Sequence, residues 1–224
     1  MGDRLSGRPG DAVLPSALRG WLGLVAGVAA LVVVVLGVLY AGDSQPGAVD
    51  RWFVDPTDDS VRGTWRHIAL ATDVLGEPVG AAALILCVVT GCLLVRRPRA
   101  AVLVVAGTVV TVGVTTVLKY GVGRTIHGPD NLSYPSGHTA FATALALVPA
   151  LLATGRLGLG RTAGTSLVLA AALVAGAAMG WAQVALGAHY PTDVLGGWCT
   201  ALAVIPATAW LVDRTADAAL RERR

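Results

Sequence analysis

Six stretches of this chain are apolar for long enough to cross a bilayer, and its polar residues gather between them. A helix rising 1.5 Å per residue needs about 20 apolar residues to cover a hydrocarbon core of about 30 Å. The runs that meet or approach this length are Trp21–Tyr40, Pro78–Val95, Ala100–Leu118, His138–Thr154, Thr162–Ala188 and Val194–Val212. They predict an all-α, polytopic membrane protein with six transmembrane helices. The first run follows Arg4, Arg8 and Arg19, as a signal peptide core would. Its length exceeds the about 7–15 residues of such a core, so it reads as an uncleaved anchor.

Arginine sets the expected orientation. It accumulates in the N-terminal segment, in "RRPR" (Arg96–Arg99), in "GRLGLGR" (Gly155–Arg161) and in the final "RERR". All four fall on one side if each run crosses once, and the positive-inside rule makes that side cytoplasmic. Both termini are then expected inside the cell membrane. The expected organisation is a cytoplasmic segment 1–19, a membrane domain 20–212 that includes an exterior segment 42–77, and a basic cytoplasmic tail 213–224. The exterior segment is acid-rich (Asp43, Asp50, Asp55, Asp58, Asp59) and holds a candidate interfacial helix, "WRHIALATDVLG".

Composition narrows the class. Of 224 residues, 54% are hydrophobic and 14% charged, against about a quarter charged in soluble domains. A net charge of +3, spread over segment ends, gives no footprint for nucleic acid. Cys87, Cys92 and Cys199 lie within apolar runs and read as packing residues without a disulfide role.

Ionisable residues beside a span are costly, and here they collect in two exterior connections. The first, "LKYGVGRTIHGPDNLSYPSGHTA", carries Lys119, Arg124, His127, Asp130 and His138; the second, "LGAHYPTDVLGG", carries His189 and Asp193. Lys119 and Arg124 run against the positive-inside bias. Headgroup anchoring accounts for two such cations by themselves. In "PSGH", Ser136 is a helix cap, Gly137 lets a ligand approach the main chain, and the first N–H groups of the helix favour an anion. A plain capped helix fits "PSGH" alone equally well. In "HYPTD", Pro191 suits a first helical turn, and Asp193 is spaced to orient the His189 ring and leave its other nitrogen as a nucleophile. Two histidines, a carboxylate and two cations together describe a phosphoryl-transfer site.

These motifs resemble the type 2 phosphatidic acid phosphatase superfamily, membrane lipid phosphatases related to vanadium haloperoxidases. The resemblance covers most of the chain: a lysine loop, then "PSGH" before the fourth span, then "GAHYPTDVLGG" before the sixth. It implies that His189 is the nucleophile forming a phosphohistidine, Asp193 its orienting partner and His138 the general acid. Lys119 with the Ser136–Gly137 backbone would hold phosphate, and no metal or other cofactor is implied. The sequence departs from the family in two motifs. Ile126 and His127 stand where the first has Arg-Pro, and Ala182 and Gln183 where the third has Ser-Arg. Arg124, His127 and the Gln183 amide are the candidates to cover for the absent arginines, although glutamine cannot supply their bidentate charge.

The expected function is hydrolysis of a lipid phosphate or diphosphate at the exterior face of the cell membrane, with the tails in the bilayer. Family substrates of this kind include polyprenyl-linked phosphates, phosphatidic acid and phosphatidylglycerophosphate. An Ala, Val, Gly and Arg bias with a single lysine suggests a high-GC bacterium, where a polyprenyl phosphate of cell-wall synthesis fits by analogy. The competing reading is an inactive relative that binds or carries lipid phosphates. Asp73 and Glu77, just before the second span, could face the site from the exterior but read more readily as solvated, and Trp52, Trp65 and Trp181 read as belt residues.

Overall fold

The computed structural model describes residues 12–223, except for the side chains of residues 55, 56 and 58–60. Arg4, Arg8, Arg224 and the carboxylates of Asp55, Asp58 and Asp59 therefore lie outside the described residues. A short 3-10 turn, Ser16–Leu18, leads into α1 (Arg19–Leu39). There follow α2 (Ala48–Ser60), α3 (Thr64–Asp73), α4 (Pro78–Leu94), α5 (Pro98–Val122), α6 (Gly137–Arg156), α7 (Arg161–Ala185) and α8 (Pro191–Glu222). Among the described residues there is no strand, only an isolated bridge between Thr125 and Leu132.

Proline opens α4, α5 and α8, where its missing N–H would have no helical partner in any case. Two helices outrun their apolar patterns. α5 continues past Leu118 to Val122, so Lys119 stands on its last turn rather than in a loop. α8 continues through the basic tail to Glu222. α7, in contrast, stops at Ala185, short of the expected Ala188.

α1, α5, α6, α7 and α8 are each long and apolar enough to cross a membrane. α4, with 17 residues, qualifies only together with α3, across a 65° bend. Contacts near the two ends of the chain decide the count. Asp213, late in α8, accepts hydrogen bonds from the N–H groups of Val13 (2.9 Å) and Leu14 (3.0 Å), just ahead of α1. Arg99, at the start of α5, pairs with Asp213 (3.7 Å) and Asp217 (2.8 Å). The segment ahead of α1 and the last turns of α8 thus lie at one end of the bundle, and only an even number of crossings between them returns the chain there. α4 is the sixth.

The most enclosed of these helices is α6, packed by α5, α7 and α8. α1 is the least enclosed; it lies on α8 and turns Leu24, Val28, Leu31, Val34 and Val38 outward, as a lipid-facing helix does. α3 lies across α7, with Trp65 edge-on to Trp181 at 6.2 Å. α2 is fixed differently, through one buried aspartate that belongs to the site.

Candidate active site

Two helix starts meet at one end of the bundle. The "PSGH" loop sits directly on α8: the Ser136 N–H donates to the Asp193 carbonyl at 2.9 Å. A Cβ on Gly197 would lie 2.3 Å from the Ser136 carbonyl oxygen, so a larger residue there would lift the loop off the helix. Tyr134 secures its other side, its hydroxyl donating to the Val33 carbonyl of α1 at 2.7 Å. Ser136 Oγ accepts from the Thr139 N–H (3.4 Å) and donates to Thr139 Oγ1 (3.1 Å), capping α6.

In front of this cap there is space. A Cβ on Gly137 would meet only Thr115 Oγ1, at 3.9 Å. The N–H groups of Gly137 and His138 have no partner among the described residues, so the start of α6 presents free donors and its dipole to an anion. Lys119 Nζ donates to the Leu132 carbonyl at 2.7 Å, which uses one of the three N–H groups of its ammonium.

His189 precedes α8 and is 9% exposed. Its Nδ1 is 3.8 Å from Asp193 Oδ2 and has no hydrogen-bond partner. The contact is therefore ionic in range, not the hydrogen bond the spacing led us to expect. Burial lowers the pKa of the imidazole, the nearby charge of Asp193 opposes this, and the positive charges of Lys119 and His138 add to it. A neutral ring, as a nucleophile requires, is the result.

Asp193 is itself held from behind, by the residue expected in front. Arg124 is fully buried, its Nη1 donating to Asp193 Oδ1 (2.7 Å) and Thr192 Oγ1 (2.6 Å), and its Nη2 to Asp50 Oδ2 (2.7 Å). Its guanidinium lies between the rings of Tyr40 and Tyr190, 4.2 and 4.6 Å from their centroids. Asp50, equally buried, also accepts from the N–H groups of Thr192 (2.9 Å) and Gly47 (3.0 Å). Arg124 is therefore corrected from phosphate ligand to buried counter-ion of two carboxylates. A guanidinium so engaged would leave both unpaired if it swung out.

Gln183 is likewise engaged by a carboxylate. It is buried in α7, and its Nε2 donates to Asp73 Oδ1 at 2.6 Å. Asp73 in turn lies 3.6 Å from His138 Nε2, with Glu77 Oε1 on the same nitrogen at 3.8 Å. These two acids, expected as solvated, thus line the His138 side of the site. His127 brings its Nε2 to 2.7 Å from the Gly187 carbonyl, two residues before His189. Its φ of 59° is one that proline cannot adopt, so losing the family's proline here goes with a different loop backbone. Ile126 is buried in that loop.

The structure thus brings His189, Asp193, Ser136, Gly137, His138 and Lys119 to one end of the bundle. It adds Asp50, Thr192, Tyr40 and Tyr190, which the sequence reading did not place in the site, and it brings Asp73 and Glu77 beside His138, the less favoured of their two readings. Asp73 carried a signal, its position ahead of a span. Asp50 carried none beyond belonging to an acid-rich segment.

Comparison with known proteins supports the family resemblance. The family model of the PAP2 superfamily matches residues 80–217. Among solved structures, the chain is similar to the crystal structure of "the first transmembrane PAP2 type phosphatidylglycerolphosphate phosphatase from Bacillus subtilis". The TM-score is 0.65 and the identity 21%, with 85% of this chain and 95% of the other covered. No sequence among curated proteins matches.

Proposed function

The chain belongs to the PAP2 superfamily, and on that premise we propose that it is a membrane lipid phosphatase acting through a phosphohistidine on His189. The carrying observation is that His189, with Asp193 behind it, meets the anion-binding start of α6 at one end of the bundle. Asp193 faces Nδ1, which leaves Nε2 to attack phosphorus. The bond from phosphorus to the lipid oxygen breaks, and that oxygen takes its proton from His138. Water, deprotonated by His138, then attacks the phosphohistidine, releasing inorganic phosphate and restoring His189. Lys119 and the Gly137 and His138 N–H groups hold the phosphate oxygens. Each step uses side chains and backbone only, and none calls for a metal.

A lipid substrate fits the surroundings. An apolar groove of about 310 Å³ runs between α4, α6 and α7, lined among others by Leu84, Phe141, Leu145 and Met179. Thr72 and Leu75, which flank Asp73, form part of the same wall, so a tail in the groove keeps its headgroup beside His138. The substrate class is a phosphate monoester or diphosphate of a lipid: a polyprenyl-linked phosphate, phosphatidic acid or phosphatidylglycerophosphate. The bias of arginine in the loops puts the site on the exterior side of the cell membrane.

Detergent-purified protein should release phosphate from one or more of these lipids, and His189→Ala should not. Release that survives the loss of His189 would refute this route. Because Arg124 and Gln183 are both engaged by carboxylates, the second reading is a relative that binds lipid phosphates without hydrolysing them. Binding without release across the whole panel would select it.

A further inference from the structure

We propose that Asp73, Glu77 and His138 form a binding site for a divalent first-row metal ion, zinc above all, and that the bound ion shuts off the reaction by occupying His138 Nε2. The binding half of this proposal stands on geometry. The shut-off rests on the reading of His138 as the general acid.

One donor atom from each residue lies within 4.8 Å of the others. His138 Nε2 is 3.6 Å from Asp73 Oδ1 and 3.8 Å from Glu77 Oε1. Both separations are too long for a hydrogen bond. They are close to the about 3.3–3.4 Å between two ligands of a tetrahedral ion whose bonds are about 2.0–2.1 Å. A second observation concerns the imidazole itself. Solvent does not reach Nε2, yet that nitrogen has no hydrogen-bond partner. A buried polar atom left in this way is costly, and an ion between it and the two carboxylates would satisfy it.

The surroundings are those of a built site. Asp73 ends α3 and Glu77 immediately precedes α4, so the bend between the two helices turns both carboxylates toward one ring. The bend is seated on that ring, because a Cβ on Gly76 would fall 2.1 Å from His138 Cδ2. The Gln183 amide donates at 2.6 Å to the same Asp73 Oδ1 that faces His138, which fixes the carboxylate and leaves its remaining lone pairs for an ion, as neighbouring side chains commonly do for metal-binding carboxylates. One imidazole with two carboxylates suits zinc and its neighbours and disfavours magnesium, which prefers oxygen ligands in an octahedron. Glu77 is 54% exposed, which leaves a route for the ion from water and room for a water ligand.

The consequence is competition. An ion on Nε2 takes the place of the proton that makes the ring an imidazolium, whichever nitrogen faces the leaving oxygen. A loaded protein keeps His189, Asp193 and Lys119 and lacks its acid.

The test uses full-length protein in detergent, stripped of metal with a chelator and titrated with zinc in a calorimeter. One equivalent should bind. Binding should weaken about 100-fold in Asp73→Asn and in Glu77→Gln, and stay unchanged in His189→Ala. Glu77→Gln, at the more exposed position, keeps the test valid if Asp73→Asn folds poorly. Zinc should also inhibit phosphate release by the wild type, chelation should restore it, and Asp73→Asn and Glu77→Gln should each need more zinc for the same fractional inhibition. No stoichiometric binding, or binding that both variants retain, overturns the site. Binding without inhibition overturns the competition. A protein that binds zinc and releases no phosphate from any lipid refutes the enzymatic reading and leaves the site standing.

Discussion

Behind His189, Asp193 is wholly enclosed, and its oxygens receive the Arg124 guanidinium and the Tyr190 N–H at 2.7 and 3.0 Å. Behind His138, Asp73 and Glu77 are 24% and 54% exposed and stay 3.6 and 3.8 Å from the ring. The His189 side is a closed network of two acids and one arginine, drawn from α2, α8 and the loop after α5. The His138 side is an open arrangement at a helix bend, stiffened by a single amide. The contrast also follows the divergence from the family: "HYPTD" is intact where the network is closed, and Gln183 replaces arginine where it is open. Loss of an arginine is tolerable on a side whose charges still face water, because exposed pairs contribute little. On the buried side the same loss would strand charge.

The widest separation should appear in turnover. His189→Ala should lower phosphate release on the order of 10⁴-fold or more, since it removes the bond-forming group. His138→Ala should cost about 10²–10⁴-fold, because water can supply the proton slowly. Equal losses would make both histidines part of one covalent unit and erase the contrast.

Stability should divide the same way. Arg124→Ala should destabilise the protein by about 3–5 kcal/mol, by leaving two buried carboxylates without their counter-ion. Asp73→Ala should cost less, about 1–2 kcal/mol, chiefly by leaving the buried Gln183 amide without its acceptor. Thermal unfolding in one detergent compares them directly, and similar melting temperatures would show that the Arg124 network is not what holds this end of the bundle.

The pH profile should respond more modestly. His189 must be neutral to attack, and burial together with Lys119 and His138 lowers its pKa while Asp193 opposes the shift. The acid limb of kcat/KM should therefore fall below the ordinary histidine range, and Lys119→Met should move it upward. A limb that stays in place would show that Lys119 does not act on this ring. The smallest effect is expected from Gln183→Arg. Its guanidinium would meet Asp73 before it met phosphate, so KM should change less than about threefold. Adding Asp73→Asn should let KM fall further, and a large fall from Gln183→Arg alone would show that phosphate lies nearer to Gln183 than to Asp73.

The six spans were legible because a membrane demands long apolar runs, and that demand is written one residue at a time. "PSGH" and "HYPTD" were legible because helix starts need caps and prolines at fixed offsets. Arg124 was misread for a physical reason. Its partner Asp50 lies 74 positions away and joins it only through folding, and nothing in a charge's local sequence says whether it ends up in water or between two tyrosine rings. Asp73 was misjudged because the bend that turns it inward depends on Gly76 fitting against the ring of His138. The end of α8 was missed because its final turns are polar, held by Arg99 and by the backbone of Val13 and Leu14 and not by apolar packing.

That last contact has a practical side. Asp213 fastens the strand ahead of α1 to the far end of α8, and α1 otherwise rests mainly on α8 with its outer face in lipid. Trimming the chain at Val212 as though a loose tail began there would unclip the outermost helix from the bundle. A reporter inserted just ahead of Val13 and one joined after Asp213 would emerge into the same compartment, since the two positions are one hydrogen bond apart.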